Sequence, residues 1–234
     1  MTFKFYQVGG CVRDKILGMT PNDIDYVAIL NEPEKILPEL TDLKSVFELL
    51  KIHLLDNGHK ILHITPDHYC IKTKFKKEIA DYTIGKKGNS VGALYDDLLR
   101  RDFTINSIAY DVDTGELIGI VNGVNDIHSK TLRTTYNVNQ CLIDDPLRIL
   151  RGLRFSVCLG FELDRVFIQE IKNELIWDKF SQVVSVERIR EELNKMFNHD
   201  TIMTLNTIMK LKTINENAYK TLFSKINLKP MIRY

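Results

Sequence analysis

The spacing of apolar residues changes several times along the chain, and each change predicts an element. Phe3, Phe5 and Val8 read as a strand running into Gly9-Gly10, after which Cys11 to Leu17 have helical composition and Gly18 is the stop. In N-D-I-D-Y-V-A-I-L, Ile24 and Tyr26 alternate with Asp23 and Asp25, and Val27 to Leu30 continue the strand. Glu34 to Leu50 carries Ile36, Leu37, Leu40, Leu43, Val46, Phe47 and Leu50 at helical spacing. Lys60 to Thr65 and His68 to Phe75 alternate around Pro66-Asp67 as a hairpin does, and Glu78 to Ile84 follows as another strand. A helix-rich segment from Asp97 to Ala109, a turn at Asp113-Thr114-Gly115 and the apolar run Leu117 to Val121 complete this half.

From Asp145 the period becomes helical, with Leu147, Leu150, Leu153 and Val157 on one stripe. Val186, Ile189, Leu193, Met196 and Phe197 mark a second helix with Ser185 as its N-cap, and Ile202, Leu205 and Met209 a third, short one. The tail mixes basic and apolar residues, and no repeat or low-complexity tract appears. The change of pattern falls between Asn137 and Asp144, which predicts a first domain over residues 1–140 and a second, helical one over 141–234.

A chain of 234 residues with 44% hydrophobic composition can bury a substantial core. Its net charge of +1 means that a nucleic-acid partner must be held by a local basic patch, not by the field of the whole molecule. Cys11, Cys70, Cys141 and Cys158 are scattered, and no histidine falls at metal-ligand spacing, which argues against zinc and against a disulfide scaffold. Without a signal-peptide pattern or an apolar run near the roughly 20 residues that span a bilayer, the expected location is the cytoplasm, away from membranes.

The chemistry concentrates in V-G-G-C-V-R-D-K-I-L-G-M-T-P-N-D-I-D, Val8 to Asp25. Gly9 and Gly10 at a strand-to-helix turn let backbone N–H groups approach phosphate oxygens. Residues two apart on a strand share a face, so Asp23 and Asp25 project together. Two such carboxylates repel unless a cation lies between them, and carboxylate oxygens suit Mg²⁺. Taken singly, an Asp-x-Asp or a Gly-Gly is an ordinary turn; the ordered set with Arg13 and Asp14 between is not. Arg100-Arg101-Asp102 reads either as a charged helix start or as arginine forks for phosphate with an acceptor for a ribose hydroxyl. Asp145 and Arg148, at i and i+3, can share a helix face and offer an acceptor beside a donor, which matches the amino group and ring nitrogen of cytosine and adenine but not uracil or guanine. Asp145-Pro146 also suits an N-cap and first turn. Arg148, Arg151 and Arg154 recur every three residues, either as a solvated face or as like charges neutralised by phosphates or a base.

These segments, with the acidic strand around Asp81, with L-Y-D-D-L-L-R-R-D-F-T-I-N-S-I-A-Y-D, D-D-P-L-R-I-L-R-G-L-R-F and V-E-R-I-R-E-E-L, resemble in order the class II tRNA nucleotidyltransferase and bacterial poly(A) polymerase family of polymerase-β-like nucleotidyltransferases, from Val8 to about Met196. The resemblance implies an α+β fold: a polymerase-β-like head with a small mixed sheet flanked by helices, then a helical neck. It implies a metal pair on Asp23, Asp25 and a third carboxylate, Asp81, with Glu78 and then Asp67 as rivals. Gly85-Lys86-Lys87 stands where family members usually carry an arginine. It implies nucleotide contacts from Gly9, Gly10, Arg13, Arg100, Arg101, Asp102, Asn106, Arg151 and Arg154, and an amino-acid template for CTP and ATP at Asp145 and Arg148. Asp144 replaces the family's usual Glu. The implied activity is Mg²⁺-dependent addition of C and A to an RNA 3′ end, in first place CCA addition or repair on tRNA. Alternatives are poly(A)-type tailing, a non-catalytic RNA-binding or nucleotide-sensing derivative, and nucleotidyl transfer to a small molecule. Family members usually run longer, so the resemblance also implies a neck truncated relative to the family, with a second copy or a partner subunit supplying RNA grip.

Overall fold

The computed structural model describes residues 3–31, 42–87 and 90–226. The chain divides into two compact units, Met1–Ile127 and His128–Tyr234. That boundary lies upstream of the one read from the sequence. After it, Thr131–Leu132 pairs in parallel with Glu162–Leu163 of the helical half, which commits this segment to the second unit.

In the first unit, β1 (Phe3–Val8) leads through Gly9 into α1 (Gly10–Ile16), then β2 (Ile24–Leu30), α2 (Leu43–Asp56), β3 (Lys60–Thr65), β4 (Cys70–Phe75) and β5 (Glu78–Ile84). Short β6 (Lys86–Lys87) and β7 (Ser90–Val91) precede α3 (Leu94–Leu99), β8 (Ile108–Asp111), β9 (Leu117–Gly119) and α4 (Gly123–His128). Seven strands form one mixed sheet in the order β3-β4-β5-β2-β1-β8-β9. Only β2 and β5 run parallel within it, because α2 and the β3–β4 hairpin carry the chain across between them.

Alternation sorts the sheet residues to two faces. Tyr26, Ala28 and Leu30 pack with Val46, Phe47, Leu50 and Leu54 of α2 and with Ile71, Tyr82 and Ile84. Val27 joins Tyr6, Val8, Leu98 and Ala109 on the other face. Burial of each of Leu50, Leu54, Ile71 and Ile84, all essentially inaccessible, contributes about 1.5–3 kcal/mol. Asp42 caps α2 by accepting from the Lys44 and Ser45 N–H groups. The first part of the helix read at Glu34 to Leu50 lies outside the described residues, and α2 runs on to Asp56.

The helix-rich segment expected from Asp97 to Ala109 is corrected. The helix ends at Leu99, Phe103 is extended, Thr104–Asn106 form one 3-10 turn, and Ile108–Asp111 is a strand between β1 and β9. Phe103, Ile105, Ile108 and Ala109 are buried on every side, and such a run has no period to betray its backbone.

The second unit holds β10 (Thr131–Leu132), α5 (Val138–Asp144), α6 (Arg148–Leu159), β11 (Glu162–Leu163), α7 (Arg165–Glu170), α8 (Glu174–Val183), α9 (Val186–His199), α10 (Thr201–Ile214) and α11 (Glu216–Lys225). Its core gathers Leu150, Leu153, Phe167, Trp177, Phe180, Ile189 and Met196, and the Trp177 indole N–H donates to the Ile171 carbonyl. Ser185 caps α9 as read. α10 is longer than the short helix expected, and it buries Thr204, Ile208 and Leu211 while Ile202, Leu205 and Met209 face solvent. Among the described residues no helix is long and apolar enough to cross a membrane.

Candidate active site

The two central carboxylates meet through sheet register. Parallel pairing sets Asp25 of β2 directly beside Asp81 of β5, with side chains on the face away from α2. Asp23 stands in the bend just ahead of β2, outside the strand proper, and is exposed. Burial pushes the Asp25 carboxyl above the ordinary carboxylate range; Arg101 opposes the rise, and the Asp81 and Asp23 charges add to it. Glu78 is excluded from this face. It lies three residues before Asp81 and accepts from the Tyr26 hydroxyl at 3.2 Å on the opposite side. Asp67 sits in the 3-10 turn of the β3–β4 hairpin.

Gly9 closes the site from below, at φ 76° and ψ −139°, a conformation that favours glycine. A Cβ there would lie 3.0 Å from an Arg101 Nη1 and 3.8 Å from Asp25 Oδ2, so glycine, guanidinium and carboxylate crowd one point. Arg101 itself is aimed by Asp97. This carboxylate, 1% exposed, accepts from Arg101 Nε and Nη2 at 3.2 and 2.7 Å on one oxygen and from Arg100 Nε and Nη2 at 3.2 and 3.1 Å on the other. Lys72, paired with Asp81 across β4 and β5, places its ammonium 3.3 Å from Asp81 Oδ2.

Arg13 is held by other polar side chains of this unit. Its Nε and Nη2 donate to Asp14 at 2.9 and 2.7 Å, and Nη1 donates to Asn106 at 2.8 Å. Asn106 donates in turn to Asp102 at 3.0 Å, and Asp102 also accepts from the Phe103 N–H. Gly10 starts α1 with Arg13 folded over it. A chain Asp14–Arg13–Asn106–Asp102, buried except at the half-buried Asp14, therefore ties two sequence-distant motifs together.

In the second unit, Asp145 is extended and precedes α6, so the shared helix face read for Asp145 and Arg148 is corrected. A residue before proline is driven out of the helical region. Asp145 accepts from the Leu147 N–H at 3.2 Å and from Arg188 Nη2 at 2.9 Å. Arg148 donates to the Tyr136 hydroxyl at 2.8 Å and to the Cys141 carbonyl at 3.3 Å, while Tyr136 donates to Asp144 at 2.7 Å. Arg154 and Arg151 converge on Glu192, which is buried, at 2.5 and 3.8 Å. One buried carboxylate thus pairs with two of the three arginines that the sequence offered to phosphate or base.

Sequence reasoning passed over Asp97, Lys72, Tyr136, Arg188 and Glu192. Asp97 was signalled by its i,i+3 and i,i+4 spacing to the arginines, and Glu192 by a charge between Ile189 and Met196 on the apolar side of α9. Lys72 becomes legible only through strand register.

Carboxylates on a sheet face, an arginine held against them and a glycine turn beneath could together hold a nucleoside triphosphate and its cation. The Poly A polymerase head domain model matches residues 5–133. The chain belongs to that family. It is 34% identical over 198 residues to the CCA-adding enzyme of Streptococcus mutans, covering 83% of this chain and 46% of that protein. Among solved structures, the Bacillus stearothermophilus CCA-adding enzyme in complex with CTP matches at TM-score 0.71 and 26% identity, covering 91% of this chain and 48% of that one. A tRNA nucleotidyltransferase complexed with a primer tRNA and an incoming ATP analog matches at TM-score 0.62 and 27% identity, covering 96% and 60%. The chain spans about half the length of the curated relatives it matches.

Proposed function

We propose that this chain is a template-independent RNA nucleotidyltransferase that adds C and A from CTP and ATP to a tRNA 3′ end, releasing pyrophosphate. The observation that carries the reading is the register that sets Asp25 beside Asp81 with Arg101 held against Asp25 and Gly9. The solved relatives, with CTP in one case and with primer tRNA and an ATP analog in another, favour these substrates. In this reading the first unit is the catalytic head and the second the neck.

Nucleotidyltransferases of this family generally use a divalent metal. Among the described residues no three His, Cys, Asp or Glu side chains form a ready metal cage. The donor set still fits Mg²⁺, which keeps waters and substrate phosphates in its shell and needs only one or two carboxylates from protein. Asp23 and Asp25 would hold it, with Asp81 as the third carboxylate once released from Lys72. When bound, the ion supplies charge stabilisation at the attacking and departing oxygens. Arg101, with its fork on Asp97, presents an outer N–H to the triphosphate, and Arg100 stands beside it. Gly9 and Gly10 let the phosphates approach the backbone. The Asp14–Arg13–Asn106–Asp102 chain fixes Asp102 near the sugar.

Base choice falls to Asp145 and Arg148. The Asp145–Arg188 pair is half exposed, and such pairs are worth about 0–1 kcal/mol, so an incoming amino group can replace Arg188 at little cost. Arg148 is pre-aimed by Tyr136 and Asp144.

Labelled nucleotide incorporation on tRNAs lacking A, CA or CCA tests the proposal. Ordered, Mg²⁺-dependent CCA completion is the expected result, and no transfer from either nucleotide would sink it. The description of the matching family model favours, as second reading, an A-tailing enzyme, which an open-ended A tail would reveal. Arg148→Ala is expected to erode the preference for C and A over U and G by about 1–3 kcal/mol, roughly 5- to 150-fold. Unchanged selectivity would remove Arg148 from the template.

A further inference from the structure

On the α2 face of the sheet, opposite Asp25, lies a cavity of about 380 Å³ that the nucleotidyl-transfer reading does not use. We infer that it is a binding site for a small organic cation, an alkyl- or quaternary ammonium group. Its centre is the Tyr82 ring, with Phe5 standing at 87° and 5.6 Å and His59 at 86° and 5.3 Å. His53 extends the wall beside Phe5 at 5.6 Å, and Tyr26 stacks on Tyr82 at 4.8 Å. These rings pack against one another and together line the cavity, and an ammonium ion within about 6 Å of any ring face left open to it is attracted.

Two polar groups complete the site. Tyr82 is only 7% exposed, yet its hydroxyl makes no hydrogen bond among the described residues. The Tyr82 side chain lines the cavity. Glu78 lines the same cavity and accepts a hydrogen bond from Tyr26, but no lysine or arginine among the described residues pairs with it. Glu78 is exposed at the rim of the cavity, where its charge repels phosphates and draws a cation onto the aromatic walls. Burial holds the His59 imidazole below its ordinary pKa, which keeps that wall uncharged near neutrality.

The test compares choline with its uncharged isostere 3,3-dimethylbutan-1-ol on the full chain, following the His53 and His59 ring signals by NMR. Choline is expected to shift both signals saturably and to bind at least about tenfold tighter than the alcohol. Glu78→Gln, which keeps an acceptor for Tyr26, should cancel most of that preference. Glu78→Lys places the cation in the protein itself and should abolish choline binding. Equal affinity for the two ligands, choline binding unaltered by both substitutions, or no saturable shift in the millimolar range overturns the assignment.

Discussion

Asp25→Asn is expected to abolish nucleotide incorporation, by at least about a thousandfold, while the metal-free protein melts no lower than the parent. The first half follows from what the carboxylate supplies. A metal that stabilises developing charge on the reacting oxygens is worth several kcal/mol, and a neutral amide at the central position of the carboxylate set does not hold it. The second half follows from the fold. Burial, reinforced by Asp81 and Asp23, favours the neutral form of Asp25 more strongly than Arg101 favours the charged one. A residue of the same shape without charge therefore relieves the folded state. Incorporation from labelled CTP and a thermal melt in chelator measure the two halves separately. Activity near the parent's would take Asp25 out of the catalytic set, and a melt several degrees lower would show that its charge is structural.

Much of this site was legible before the fold was known, and the limits have physical causes. Strand alternation placed Asp25 on one face, because one side of β2 packs on α2 and only the other can carry a carboxylate. Asp81 was chosen over Glu78 by resemblance, and the geometry that favours the choice emerges only from register: β2 and β5 pair in parallel with Asp25 opposite Asp81. The apolar residues after Arg101 misled because a segment buried on all sides loses its period. Gly123 seals that segment so closely that a Cβ there would fall 2.3 Å from the Thr104 carbonyl oxygen. The arginines of α6 looked available for ligand because their counter-charge, Glu192, lies on α9, and no local spacing joins the two helices. Asp145 carried its own warning, since Pro146 follows it.

The clamp on Asp97 has a polarity that predicts unequal outcomes from its two sides. Asp97 is 1% exposed, whereas Arg100 and Arg101 reach solvent with 52% and 21% of their side chains. Removing both guanidinium groups, Arg100→Ala with Arg101→Ala, strands a carboxylate where water cannot replace the lost donors, and breaking a buried pair in this way costs about 3–5 kcal/mol. Asp97→Asn leaves two cations that water can solvate and keeps an acceptor for one fork while its amide NH2 displaces the other into solvent, so its cost is that of lost and weakened hydrogen bonds, about 1–2 kcal/mol. Denaturant melts of the two variants should therefore separate clearly, and equal losses would mean that the carboxylate is not the strained partner. The same substitution reports on function, because in the proposed reading the buried Asp97 acts through Arg101. Loosening the fork should raise KM for both CTP and ATP several-fold while kcat on a tRNA primer falls less, since Asp23 and Asp25 are untouched. Asp97→Glu keeps the charge but lengthens the arm, and it should restore stability better than it restores KM. A pure scaffold residue would instead lower the active fraction at unchanged KM, and that result would confine Asp97 to the fold.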